Sequence, residues 1–328
     1  MAAAIEAPDL SVSFHRFLNA AEAFFDSLAN IAWGYFVVAL LLTLGLQLAR
    51  AHGWANALRA AYPRSRVSET GVAASFLAGV GMNAILPARG GEAVKIVLAR
   101  RSVESSSYPT IISSFAALTP FDVAAGLLVL LYAITQGLLP PPPRLPHLPA
   151  FEISFWAAHP EALLLLLTVL GIGAIVLLAF LARRIEHFWQ QVKQGLAIFR
   201  EPSRYLREVA AWQMVAWLCR FASFWFFLDA FGVGGSFENV LLVMSVQSIT
   251  NALPFTPGGA GAQQALLVAT LGGVPRVVVL AYSIGQQLAV TAWSLLLAFV
   301  SLFWFFRVRD WRGLVREGEA ARAEVTAE

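Results

Sequence analysis

Asn83-Ala84-Ile85-Leu86-Pro87-Ala88-Arg89-Gly90-Gly91-Glu92 and Asn251-Ala252-Leu253-Pro254-Phe255-Thr256-Pro257-Gly258-Gly259 are the two stretches on which the reading of this chain turns. Each opens with Asn-Ala, passes through proline and closes on Gly-Gly. The positions match without a gap, since 251 − 83, 258 − 90 and 259 − 91 all give 168. Each stretch interrupts an apolar region, where proline, glycine and polar side chains break a helix. Turns between ordinary helices use the same residues, so the topology around the two stretches has to decide what they are. In a membrane protein, paired interruptions at matching places in two halves point to a binding site.

Working outward, composition puts both stretches in lipid. Hydrophobic residues make up 58% of the 328 and charged residues 13%, about half the charged share of a soluble domain. Mean hydropathy is +0.68. The net charge of +3 comes from basic residues lying between apolar runs rather than on one face, which argues against a nucleic-acid partner. The single cysteine, Cys219, excludes an intrachain disulfide. Residues 1–30 lack the basic start, apolar run and cleavage site of a signal peptide, so the spans themselves are expected to direct insertion. Ser11 to Asn30 place Phe14, Phe17, Leu18, Phe24, Phe25 and Leu28 at helical spacing. That segment reads as an interfacial amphipathic helix or as an extension of the first span.

Ile31 to Ala49 is long enough to cross a bilayer. Arg50, Arg59, Arg64 and Arg66 follow it and mark the cytoplasmic side. Gly71 to Leu86 and Gly90 to Leu98 are each too short to cross, and Arg100 and Arg101 restore a basic loop behind them. A hairpin entered from the cytoplasm returns the chain to the side it left; two short complete spans are the alternative. Ile111 to Thr135, with Pro120 and Asp122, crosses outward. A loop containing Pro140 to Pro143 follows, and Glu161 to Leu181 crosses back to Arg183, Arg184, Lys193, Arg200, Arg204 and Arg207. In that basic stretch, apolar residues from Ile185 to Phe199 suggest an amphipathic helix on the inner leaflet. Val209 to Gly232, with Arg220, crosses outward. Phe237 to Leu253 and Ala260 to Leu271 then form a second hairpin, entered from outside, and Val277 to Phe306 returns to Arg307, Arg309 and Arg312.

The expected fold is an all-α integral membrane protein, a polytopic helix bundle with two inverted-topology repeats, each containing a re-entrant broken-helix hairpin. Its parts are an N-terminal amphipathic segment (1–30), a first repeat (31–136) with its hairpin at 71–100, and a linking region (137–208). The linking region holds the outside Pro-rich loop, one span and the cytoplasmic amphipathic helix. A second repeat (209–306) carries its hairpin at 237–272, and a cytoplasmic tail (307–328) follows. This layout fits a bacterial-type cytoplasmic (inner) membrane, with the N-terminus outside and the C-terminus in the cytoplasm.

Irregular backbone in a bilayer is tolerated where it is buried in protein or lines a wet cavity. Helices starting after Gly91 and Gly259 would present N–H groups to an anion. Arg89 and Lys95 add positive charge, and Arg grips phosphate bidentately. The expected substrate-binding residues are therefore Asn83, Pro87, Arg89, Gly90, Gly91, Glu92 and Lys95 from the first stretch. Asn251, Pro254, Thr256, Pro257, Gly258 and Gly259 come from the second, and the intramembrane charges Asp122 and Arg220 complete the set. Plainer roles stand beside these. Arg89 and Lys95 suit positive-inside residues, Glu92 a first-turn helix acid or a partner of Lys95 or Arg220, and Asn83, Asn251 and Thr256 helix caps. Asp122 and Arg220 suit an ion pair. Gln263, Gln264, Gln286 and Gln287 suit hydrogen bonds between helices.

None of the five histidines falls in an expected span, and there is no HExxH pattern or His/Cys cluster for a metal. No cofactor is expected. An intramembrane transferase acting through Glu92, Asp122 and Arg220, and a scaffold without a cavity, are the rival classes. A membrane lipid is the expected substrate. A homodimer and a lipid-biosynthetic enzyme are compatible partners.

The two stretches together resemble the transmembrane region of lysylphosphatidylglycerol synthases and the wider flippase-like family. Members read Asn-x-x-x-Pro-x-Arg-x-Gly-Glu and Leu-Pro-x-x-Pro-Gly-Gly-x-Gly where this chain has Asn83 to Glu92 and Leu253 to Gly261. The resemblance runs from about Ile31 to Phe306 and implies movement of lipids between leaflets, not aminoacylation, which belongs to a separate soluble domain. Two departures stand out. The Glu-Arg pair expected before the intramembrane Asp is missing in Leu118-Thr119-Pro120-Phe121-Asp122, and Gly285-Gln286-Gln287 stands near the place of an expected Arg in the last span. Polar contacts made by those residues elsewhere do not carry over.

Overall fold

A computed structural model describes residues 31–86, 90–136, 188–252 and 262–306. Every regular element among them is helical. Helix α1 (Trp33–Ala61) is followed by α2 (Glu69–Met82), α3 (Gly91–Arg101), α4 (Tyr108–Phe115) and α5 (Thr119–Thr135). Then come α6 (188–195), α7 (Pro202–Tyr205), α8 (Ala211–Ala230), α9 (Phe237–Ala252), α10 (Ala262–Thr270) and α11 (Arg276–Val300). A 3-10 turn, Ala116–Leu118, joins α4 to α5, so that Pro120, which has no N–H, falls in the first turn of a new helix. Three helical runs are long and apolar enough to cross a membrane: Trp33–Ala61, Tyr108–Thr135 and Arg276–Phe305. Helix α8 is of membrane-crossing length at 20 residues but carries Gln213, Arg220 and Asp229. The expected span at Glu161 to Leu181, the segment before residue 31 and the tail from 307 lie outside the described residues.

Helices α2 and α3 make a hairpin whose two ends are tied together. The Ser68 N–H donates to the Ser102 carbonyl at 3.0 Å, and Val67 and Val103 form an isolated antiparallel bridge. The limbs cross at two glycines. A Cβ on Gly79 would lie 2.6 Å from the Lys95 Cβ, and one on Gly91 would fall on the Gly79 carbonyl and the Asn83 backbone. Only glycine permits that approach. Gly81 does the same between α2 and α11, since a Cβ there would strike the Ser294 carbonyl and lie 2.5 Å from the Ala298 Cβ. Gly81→Val is expected to cost about 1–3 kcal/mol by overpacking, read as a lowered melting temperature in detergent.

The 168-residue offset of the two motifs recurs in the helix boundaries. Helix α2 begins at 69 and α9 at 237; α4 begins at 108 and α11 at 276, and 237 − 69 and 276 − 108 both give 168. The N-caps repeat too. Ser68 Oγ accepts from the Gly71 N–H, and Ser236 Oγ from the Asn239 N–H, each at 3.1 Å. Helix α1 and its counterpart α8 pack along their lengths in antiparallel sense. The Ala32 N–H bonds the Ala230 carbonyl (3.0 Å), Thr43 and Ser223 share hydroxyls (3.0 Å), and Asn56 Nδ2 donates to the Glu208 carbonyl (2.8 Å). The other contacts are reciprocal: α2 packs on α11, and α9 on α5.

Among the described residues two larger hydrophobic cores result, beside a smaller cluster of Ala78, Met82, Val94, Val97 and Leu98. One gathers Ala39, Val129, Phe227, Leu228, Val243 and Tyr282; the other gathers Trp54, Leu58, Phe76, Ile111, Leu118 and Val209. Along α1, Ala39 belongs to the first core and Ala51 to the second. Along α5, Val129 belongs to the first, while Leu118, just before that helix, belongs to the second. Between these positions Thr43, Gln47 and Arg50 on α1 and Asp122 on α5 interrupt otherwise apolar runs.

Three expectations need correction. Helix α1 continues past Ala49 to Ala61, so Arg50 and His52 lie inside it rather than in a loop. It continues because no proline follows before Pro63 and the Arg50 charge is met inside the bundle by Asp122. The inner-leaflet helix expected from Ile185 to Phe199 is helical only over 188–195 among its described residues and then tightens to a 3-10 turn, Ala197–Arg200. Ile198 is 1% exposed in the second core, and Gln194 Nε2 donates to the Ala61 carbonyl, so this segment is pinned to the end of α1. The expected Asp122–Arg220 pair is replaced by another, described below.

Where α1 meets the start of α2, Arg59 and His52 both bond the Glu69 carboxylate. They hold it below its ordinary value of 4.5, Arg59 contributing most. A depressed carboxylate pKa stabilises the fold above that value and the contribution fades as pH falls through it. Glu69 is largely exposed, so the effect is well under about 1 kcal/mol. Melting temperatures of Glu69→Gln and the unaltered protein are expected to differ slightly at pH 7 and to converge in acid.

Candidate functional site

Between the two cores lies a cavity of about 670 Å³, within the range of small-molecule pockets, about 300–1,000 Å³. Thr43, Gln47 and Arg50 line it from α1, one helical face at spacings of four and three. Asp122 and Gly126 line it from α5, and Trp217, Arg220 and Ser223 from α8. Gln247 and Ser248 of α9 and Gln286 of α11 close it, with Phe224 and Phe227 as apolar wall. Helices from both ends of the chain therefore share one polar chamber.

Its charges are arranged as one pair plus one further cation. Arg50 grips Asp122 bidentately, Nη1 to Oδ1 at 3.0 Å and Nη2 to Oδ2 at 2.7 Å. The Trp217 indole N–H donates to Oδ1 at 3.0 Å. Arg220 instead donates to the Gln247 amide oxygen at 2.8 Å, with its guanidinium 5.3 Å from the centre of the Trp217 ring. Asp122 pairs with Arg50 because α1 runs on past Ala49 and carries Arg50 on the face that lines the cavity. Among the described residues lining the cavity, two guanidinium groups face one carboxylate. Ion pairing satisfies Arg50, whereas Arg220 meets a neutral amide.

The first motif forms a separate cluster. The Asn83 amide donates to Glu92 Oε1 (3.0 Å), and Lys95 Nζ to Glu92 Oε2 (2.8 Å). Lys95 is 2% exposed, its ammonium 4.4 and 4.6 Å from the centres of the Phe76 and Phe115 rings. That cage tethers the hairpin to α4 by cation–π contact. Asn83 Oδ1 is buried with no hydrogen-bond partner. Gly90 and Gly91 open α3, and Asn251 lies in the last turn of α9. Pro87, Arg89, Pro254, Thr256, Pro257, Gly258 and Gly259 lie outside the described residues. Of the expected site residues, Asp122 and Arg220 thus share the cavity, and Asn83, Glu92 and Lys95 share the hairpin cluster. Gln264 Nε2 meets Gln287 Oε1 at 3.4 Å between α10 and α11, as amides between helices do.

Arg50, Gln47, Trp217 and Gln247 were not among the expected site residues. The signal for the first two was present, because Thr43, Gln47 and Arg50 repeat at helical spacing through a run read as apolar. Gln213, Trp217 and Arg220 repeat in the same way on α8.

A bundle that is all-helical over its described residues, with helices long and apolar enough to cross a membrane, is a membrane protein. The chain belongs to the family described as the lysylphosphatidylglycerol synthase TM region, whose sequence model matches residues 10–298. That agrees with the resemblance carried by the two motifs and ties the protein to a membrane lipid-related role. No curated protein and no solved structure matches it.

Proposed function

We propose that the protein moves a polar, phosphate-bearing lipid between leaflets, its headgroup in the cavity and its acyl chains in surrounding lipid. The observation that carries this is Arg220: a guanidinium held in an apolar bundle against a neutral amide, in a chamber of headgroup size. A charge at that depth is costly unless it has a ligand or a partner. Arg220, rather than the hairpin lysine, is the gripping cation in this reading, and the Asn83–Glu92–Lys95 cluster stiffens the hairpin beside it.

Alternating access follows from an inverted repeat. Four observations support the repeat: the shared 168-residue offset, the matching serine caps, the antiparallel packing of α1 on α8, and the reciprocal α2–α11 and α9–α5 contacts. The tied ends of the α2–α3 hairpin support its entering and leaving on one side as a re-entrant element. In this reading that side faces the cytoplasm, as the basic loops suggest, in a bacterial-type inner membrane with the N-terminus outside.

The test is reconstitution into liposomes carrying a fluorescent acidic phospholipid, with a membrane-impermeant quencher read over time. Quenching of the inner-leaflet pool at a rate proportional to protein is expected. An inner pool that stays protected overturns the reading. A chemically altered lipid recovered from the same vesicles would make the protein a transferase instead.

A further inference from the structure

We infer that a second cavity, at the base of the first hairpin, binds a phosphate group, free or carried by a lipid headgroup. It encloses about 730 Å³ and shares no lining residue with the chamber between the cores. The α2–α3 hairpin closes here, through the Ser68–Ser102 hydrogen bond and the Val67–Val103 bridge. Arg66 lines the cavity from just before α2 and Arg101 from the last residue of α3. Phe305 and Phe306 wall it where a membrane-length apolar run ends, which puts it at the depth of lipid phosphates. Arginines from the two ends of the hairpin thus share one opening with a single lining carboxylate, Glu104, an excess of one positive charge among the described lining residues. Two neighbouring charges are engaged elsewhere. Glu69 is held by Arg59 and His52, and the Arg100 guanidinium lies 4.1 Å from the centre of the Tyr108 ring.

Hydroxyl groups line the same opening. Ser68, Thr70 and Ser102 all face the cavity, and Gly71 lets them gather. A Cβ on Gly71 would lie 2.5 Å from Ser102 Oγ and 3.1 Å from Ser68 Oγ, so glycine keeps the cradle open. Ser102 gives its proton to the Leu98 carbonyl. Ser68 and Thr70, 3.3 Å apart, carry two protons, and their mutual contact uses one, which leaves one for a ligand. The first turn of α2, the positive end of a 14-residue helix, borders the same space. A carboxylate is fully served by one arginine. Two arginines, a hydroxyl and a helix end arriving from different sides suit an anion with more oxygens, and the guanidinium fork matches phosphate.

This site stands independently of the transport reading. A ligand held by Arg66 and Arg101 joins the two ends of the hairpin and stabilises the fold by mass action. The test is the melting temperature of the full chain in neutral detergent, titrated with inorganic phosphate or with phosphatidic acid. Chloride at matched ionic strength and phosphatidylcholine of the same chains are the controls. A saturable rise is expected, and the probe that produces it identifies the source as free phosphate, lipid or both. The general stabilisation that phosphate gives by exclusion from protein surfaces does not saturate in this way and persists in the variants. Arg66→Gln with Arg101→Gln is expected to raise the half-saturating concentration at least about tenfold, the factor that one charge-assisted hydrogen bond supplies. Arg220→Gln, in the other cavity, should leave it unchanged. Glu104→Gln removes the opposing carboxylate and should lower it about two- to fivefold, the range for an exposed charge, which decides the matter if the arginine variant does not fold. No saturable rise with either probe, an equal rise with phosphatidylcholine, or a half-saturating concentration indifferent to Glu104→Gln overturns the inference. So does a response that survives the double arginine variant or disappears in Arg220→Gln.

Discussion

Arg220→Gln is expected to lower lipid translocation by about ten- to a hundredfold, the value of a lost charge-assisted hydrogen bond of about 1.5–3 kcal/mol. The protein should still insert and fold. Glutamine retains an amide that can bond Gln247, and the neighbouring Trp217 and Phe224 rings need no cation to pack. Removing a guanidinium whose only described hydrogen bond goes to a neutral amide lifts a desolvation cost that its contacts with the Trp217 and Phe224 rings offset only in part. Melting temperature in detergent is therefore expected to hold or rise while transport falls, and that opposition separates a ligand-binding cation from a structural one. Arg220→Lys should fall between, since an ammonium keeps the charge but not the planar fork that holds two phosphate oxygens. The measurement is the quenching rate in liposomes at matched protein content. Unchanged transport by Arg220→Gln would remove Arg220 from the site.

How far the sequence reached depends on which property each residue advertised. The break after Met82 is a local signal, made by proline and glycine, and the helix stops there, whereas the segments read from Gly71 and Ile111 begin a little earlier, at Glu69 after Ser68 and at Tyr108 after Ser107. The second half could be placed from the first because the motif offset sets the helix offset. Arg50 was misplaced by a rule that is sound for loops. A cationic side chain after 19 apolar residues usually marks the water, unless a carboxylate 72 positions away cancels its charge, and helical spacing alone does not announce that partner. Lys95 was misread for a related reason. A lysine in the first turns of a helix beside Gly-Gly looks like an anion grip. Phe76 and Phe115, on two other helices, turn it into the centre of a cage. What the sequence hid in both cases was a tertiary neighbour rather than a chemical type.

Asp122→Asn is expected to destabilise the protein by about 3 kcal/mol, the low end for breaking a buried pair by removing one partner. The low end applies because the Arg50 and Asp122 side chains keep 22% and 28% of their exposure. Asparagine preserves the shape and still accepts the Trp217 N–H, but its amide group turns donor against donor at Arg50. Restoring a neutral pair in Arg50→Gln with Asp122→Asn should recover most of the loss, because two amides satisfy each other, and a double-mutant cycle reads the coupling directly. Function should respond differently from stability. Asp122→Asn frees a second guanidinium in the cavity, so retention of phosphatidylglycerol in detergent is expected to increase while its translocation slows, the lipid being held too tightly to leave. The double variant, with Arg50 gone as well, should release lipid normally and depend on Arg220 alone. Parallel loss of stability, retention and transport in Asp122→Asn would instead make the pair a brace between α1 and α5. Opposed changes in retention and transport mean that Asp122 competes with the phosphate for Arg50, and that this competition sets the rate of release.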